Sequence, residues 1–159
     1  MILVEGAKYS LAESKQKIEA YCAYQERCDH EIRQKLHSWR LNSAHIDELI
    51  DGLIKDGFLN EERFASAFAS GKFRIKKWGR NKIKAKLREK KLPNYLIDKA
   101  LKGINEDDYF ETALQLARLK LDQQKSGSSW EKMIKIKRYL EAKGYESAVI
   151  GKCMENLYI

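Results

Sequence analysis

The strongest constraint in this chain is one spacing of apolar residues that occurs three times. Ile32, Leu36, Leu41, Ile46, Leu49, Ile50 and Leu53 lie at offsets 0, 4, 9, 14, 17, 18 and 21 from the first of them. Ile83, Leu87, Leu92, Ile97, Ala100, Leu101 and Ile104 keep the same offsets, and so do Ile136, Leu140, Tyr145, Ile150, Cys153, Met154 and Leu157. A single 0/4 pair is commonplace. Seven matched positions in three copies, 51 and then 53 residues apart, define a repeat protein. Offsets 0 and 4 share one face of a helix. Offsets 14, 17, 18 and 21 share a face of another. Offset 9 plugs the short turn between them.

A third helix precedes each pair. In the middle copy it starts at Asn60, a good N-cap, with Glu61 and Glu62 complementing the helix dipole and Phe64 and Phe68 facing inward. Asn105 takes the same place before Glu106, Asp107 and Asp108, with Tyr109 and Ala113 inward. In the first copy this helix runs from Leu11 and shows Ile18, Tyr21 and Cys22 as its apolar face. Pro93 closes a second helix and opens a third. Gly52 and Gly103 share repeat position 20, where the third helix is expected to fray or cap. Ser126-Gly127-Ser128-Ser129 reads as a flexible insertion.

The predicted fold is therefore all-α: three tandem three-helix units in an elongated row, straight or curved. An N-terminal arm spans 1–10, unit 1 spans 11–58, unit 2 spans 59–104 and unit 3 spans 105–159. Each unit alone has little core, and stacking buries the remaining apolar faces.

Charge is distributed very unevenly. The 159 residues carry 31 Lys+Arg and 23 Asp+Glu, a net +8. Residues 71–91 hold eleven cations (Lys72, Arg74, Lys76, Lys77, Arg80, Lys82, Lys84, Lys86, Arg88, Lys90 and Lys91) against Glu89 alone. That segment is +10, so the remaining 138 residues sum to −2. On a helical wheel Arg80, Lys84, Arg88 and Lys91 form one ridge, and Lys82, Lys86 and Lys90 another. Like charges at i, i+4 repel by about 0.2–0.5 kcal/mol per pair, a cost that an anionic partner offsets. The predicted binding face is Lys72, Arg74, Lys76, Lys77, Trp78, Arg80, Lys82, Lys84, Lys86, Arg88 and Lys91. Trp78, beside Gly79, either stacks on an unpaired base or packs between units, and Trp130 in a similar repeat position favours packing. Lys132, Lys135, Lys137 and Arg138 form a weaker basic face, diluted by Glu131 and Glu141. Acids gather at Asp47, Glu48, Asp51 and Asp56, and at Glu106, Asp107, Asp108 and Glu111, the second group suiting a helix dipole.

Other classes find no support. Nothing approaches eighteen consecutive apolar residues, and Met1-Ile-Leu-Val-Glu5 is too short for a signal-peptide core, so a cytoplasmic protein is expected; separately, a monomer is expected. Cys22, Cys28 and Cys153 match no zinc spacing and read as reduced core residues, with His30, His37 and His45 at surfaces or interfaces. There is no phosphate-binding loop, dinucleotide glycine fingerprint, zincin motif or nucleophile elbow. The expectation is a non-enzyme with no cofactor and no metal.

Two stretches resemble the RecX family of recombination regulators. Gly57-Phe-Leu-Asn-Glu-Glu-Arg-Phe-Ala65 is similar to the family's glycine, hydrophobic pair, Asp/Asn, acid and Arg-Phe-Ala run. Lys76-Lys-Trp-Gly-Arg-Asn-Lys-Ile83, continuing to Leu87, is similar to its basic-Gly-x-x-x-Ile-x-x-x-Leu stretch. The chain departs in having Asn60-Glu61 where paired aspartates are more usual, and in the 126–129 insertion. The resemblance implies a protein that lies in the groove of the RecA filament on single-stranded DNA. There it would limit filament growth, damping ATP hydrolysis, strand exchange and repressor cleavage. Single-stranded DNA, with double-stranded DNA second, and RecA are the partners it implies. Two other readings compete on the residues alone: a helix-turn-helix DNA-binding transcription regulator, and a helical adaptor that binds only protein.

Overall fold

The computed structural model describes residues 6–157; residues 1–5 of the predicted arm, and 158–159, lie outside the described residues. Among the described residues there are nine helices and no strand. Unit 1 consists of α1 (Leu11–Tyr24), α2 (Asp29–Ser38) and α3 (Ser43–Lys55). Unit 2 consists of α4 (Glu61–Lys76), α5 (Arg80–Glu89) and α6 (Asn94–Lys102), and unit 3 of α7 (Glu106–Asp122), α8 (Ser129–Lys143) and α9 (Ser147–Glu155).

Side-chain caps fix where helices begin. Asn60 Oδ1 accepts from the Arg63 N–H at 2.9 Å, Asn105 Oδ1 from Asp108 N–H at 3.0 Å, and Ser10 Oγ from Glu13 N–H at 3.1 Å. Each satisfies one of the four N–H groups that a helix start leaves unpaired. Of the 21 repeat positions, all but Met154 and Leu157 are buried, so the spacing is the record of a shared core plan. Unit 1 has its own core, whereas the cores of units 2 and 3 merge into one. Leu59, placed in unit 2 by the sequence, packs in the unit 1 core.

Three expectations need correction. Gly52 neither frays nor caps α3; the helix runs on to Lys55, and the reversal falls at Gly57, with φ of +78°. Ser128, in the expected insertion, caps α8 by accepting from Glu131 N–H, and Ser129 already belongs to that helix. The extra N-terminal turn of α8 carries Trp130 outward, 71% exposed, so it does not share the packing of Trp78.

The repeat extends to the joints. The carbonyl at repeat position 7 receives a donor from the preceding segment in all three units. Gly79 N–H donates to Lys143 O at 2.8 Å, and Cys28 Sγ approaches Lys90 O at 3.9 Å. Cys28 and Gly79 stand at one repeat position, four residues before Ile32 and Ile83. In unit 1 the donor comes from the segment just ahead of α1: the Lys8 N–H donates to Trp39 O at 2.9 Å, and Tyr9 packs edge-on against the Trp39 ring. The next position, 8, has positive φ in every unit: Arg40 at 60°, Lys91 at 63° and Gly144 at 101°.

The two joints differ in chemistry. Unit 1 meets unit 2 through ion pairs, Arg63 to Glu26 at 2.5 Å and Lys90 to Glu31 at 2.6 Å. Unit 2 meets unit 3 through ion pairs of Arg80 to Glu106 and Glu146 and, in addition, backbone to backbone. A Cβ on Gly79 would lie 2.3 Å from the Gly144 carbonyl carbon, and one on Gly144 would lie 2.4 Å from Lys82 Cβ. Only glycine permits that approach.

Candidate nucleic-acid and partner interface

The cationic segment spans the end of α4, the 77–79 turn and α5. Ile83 and Leu87 anchor α5 in the core, which forces the intervening Lys and Arg residues outward. Arg74, Lys76, Lys77, Arg88 and Lys91 are exposed, and Lys84 is partly exposed and forms no ion pair among the described residues. Lys86 reaches Glu89 at 3.4 Å, one turn away.

Arg80 does not belong to this free face. Its side chain is only 17% exposed and turns into unit 3, where it pairs with Glu106 at 2.5 Å and Glu146 at 3.2 Å. The guanidinium lies 3.9 Å from the centre of the Tyr109 ring. Tyr109 Oη accepts from the Arg80 backbone N–H at 2.9 Å and donates to Glu146. Burial, and then the bond to Glu146, push the Tyr109 phenol well above its ordinary range. The predicted Arg80–Lys84–Arg88–Lys91 ridge is thus shortened to its last three members. Lys90, on the other ridge, is spent on Glu31. Glu106, expected only as a dipole partner, is also half of an ion pair between units.

Trp78 is half-buried against the joint core, and Lys72 and Lys82 hold their ammonium groups 5.1 and 4.7 Å from its ring centre. The tryptophan serves as a pedestal for cations. Lys77, which caps the C-terminus of α4, adopts the left-handed conformation with φ of 60° where glycine is the usual occupant. On unit 3, Lys135, Lys137 and Arg138 are exposed and Lys132 is partly exposed along α8. Sequence reading missed Lys143, whose Nζ donates to Lys76 O at 3.1 Å and so brings a unit 3 cation to the unit 2 segment. Its only signal is its place beside Gly144, which matters once the joint is known.

The three cysteines are buried and unpaired, and burial raises each thiol to about 11. No group of three or more His, Cys, Asp or Glu poised for a metal occurs among the described residues. No helix among them is long and apolar enough to cross a membrane.

Tandem three-helix units with a cationic face on the middle one define a class of modular all-helical proteins. The second three-helix domain of RecX matches residues 60–101 and the third matches residues 106–154, together more than half of the chain. This chain belongs to the RecX family of regulatory proteins. Regulatory protein RecX of Bacillus cereus (strain B4264) is 27% identical over 138 residues, covering 87% of this chain and 51% of that protein. The same protein of Bacillus thuringiensis (strain Al Hakam) gives the same figures. The chain spans about half the length of these curated relatives. The crystal structure of RecX from Lactobacillus salivarius superposes with a TM-score of 0.85 at 24% identity, covering 92% of this chain and 96% of that one. A second crystal structure of regulatory protein RecX gives 0.84 at 20%, covering 91% and 73%. Both show the shared fold.

Proposed function

We propose that this chain is a non-enzymatic regulator that binds the RecA filament on single-stranded DNA and restrains it. On this reading it slows ATP hydrolysis, strand exchange and repressor cleavage, acting as a monomer in the cytoplasm. The observation that carries the proposal is the unpaired cationic surface of unit 2 on a chain of the RecX family. Among the described residues, Arg74, Lys76, Lys77, Lys84, Arg88 and Lys91 have no carboxylate partner, while the cations that unit packing uses, Arg80 and Lys90, are drawn away to Glu106, Glu146 and Glu31. Cations kept free of internal partners are suited to phosphates of the DNA or to acidic surfaces of the recombinase.

The test is a titration of RecA ATPase activity on single-stranded DNA with the chain and with Lys84→Glu/Arg88→Glu/Lys91→Glu. Arg80 is left intact because its loss would disturb the joint. The parent chain is expected to slow hydrolysis near stoichiometric levels, and the folded triple variant to lose most of that effect. DNA affinity of the parent should fall with salt, with a log–log slope of roughly 0.7–0.9 per phosphate contact. Unchanged hydrolysis with the parent chain would end this reading.

A further inference from the structure

The joint between units 2 and 3 gathers lysines that are far apart in sequence. Lys72 and Lys76 come from α4, Lys77 caps it, Lys82 comes from α5, and Lys143 ends α8. Four contacts hold them together. Lys143 Nζ donates to Lys76 O at 3.1 Å, and Tyr145 Oη to Lys77 O at 2.8 Å. Gly79 N–H donates to Lys143 O at 2.8 Å, and Asn81 N–H to Gly144 O at 2.9 Å. Lys72 and Lys82 stand over the Trp78 ring.

Among the described residues, none of the five lysines forms an ion pair. Neighbouring basic residues that pair across units do: Arg80 has two carboxylates and Lys90 has Glu31, while Lys86 pairs with Glu89 within α5. The Trp78 ring positions the Lys72 and Lys82 ammonium groups, and the Lys76 carbonyl positions that of Lys143, without neutralising them, while Lys76 and Lys77 extend exposed side chains beside them. The left-handed Lys77 points the same way, because glycine there would relieve the backbone but remove a charge.

We propose that these five lysines form a single anion-binding site assembled across the joint, and that its ligand is the phosphodiester backbone of a nucleic-acid strand. The proposal rests on the DNA-binding reading above and adds to it a location, an additional residue from unit 3, and a dependence on the docking of two units. Because the ammonium groups occupy the Trp78 ring, the site reads phosphates and is indifferent to base identity.

The experiment measures binding of a fluorescent 30-nucleotide oligo-dT to the full chain by anisotropy. Lys143→Ala is expected to weaken binding about three- to tenfold and to flatten the log–log salt slope by about 0.7, one contact's worth. Lys143→Arg should retain both affinity and slope. Gly144→Ala removes no charge, yet its Cβ drives into Lys82, so affinity should fall at least as far with helicity retained. Should that variant unfold, Lys143→Ala decides alone. Lys84→Ala/Arg88→Ala serves as reference on the α5 ridge. If it weakens binding while Lys143→Ala stays within twofold of the parent, the joint site is wrong and the general basic face survives. If Lys143→Ala alters only association with RecA and leaves oligo-dT binding intact, the ligand is a protein surface and the proposal also fails. A parent chain that does not bind the oligonucleotide overturns both.

Discussion

The Arg80 guanidinium sits 3.9 Å above the Tyr109 ring and, through Glu146, joins the start of α5 to the turn that opens α9. Truncating Arg80 leaves the Glu146 carboxylate partly buried without its cation. Arg80→Ala should therefore cost about 3 kcal/mol. Arg80→Lys should recover less than half, because an ammonium cannot both stack on the ring and reach two carboxylates. Urea unfolding of the two variants checks both statements.

Glycines separate by what surrounds them. A methyl at Gly79 meets the Gly144 carbonyl, so Gly79→Ala should destabilise by about 2 kcal/mol or more. Gly52 and Gly71 lie inside helices with nothing within 4 Å of an added Cβ. Gly52→Ala and Gly71→Ala should each stabilise by about 0.5–1 kcal/mol. Thermal melts of all three test the opposite signs.

Lys77 offers stability and binding changes of opposite direction. Lys77→Gly relieves a left-handed residue and should raise stability by about 1 kcal/mol. The same variant should lower oligo-dT affinity, as read by anisotropy. A fall in both would make Lys77 a structural residue.

The buried cysteines set the alkaline limit. Cys22, Cys28 and Cys153 are raised by burial from 9.0 to about 11, and burial likewise lifts Tyr109 and Tyr145 above their ordinary 10.0. A raised group keeps its proton in the native state after the unfolded chain has lost it. Their contribution is fully present below about pH 9 and declines as pH climbs toward 11. Melting temperature should be flat from pH 7 to 8.5 and then drop. Thiol labelling at pH 8 should be slow in buffer and fast in denaturant.

The repeat was legible because burial dictates it. Ile32, Ile83 and Ile136 are each fully buried, and nothing polar substitutes for such a residue. The basic segment was legible as composition, but not which of its cations are free. Arg80 finds its carboxylates 26 and 66 residues away, a pairing that no local pattern carries. Trp130 misled for a geometric reason, since one extra helical turn rotates it to solvent. The left-handed Arg40 and Lys91 were invisible because glycine, the usual sign of that conformation, stands only at Gly144, where unit 2 presses on it.

Lys8 supplies to Trp39 from a short strap what Cys28 and Gly79 supply from the body of a neighbour. Among the described residues, the seam at unit 1 is thus made by backbone outside the nine helices. A change near residue 8 therefore loosens the closure of unit 1, while the seams at units 2 and 3, each made by the unit before it, stay intact.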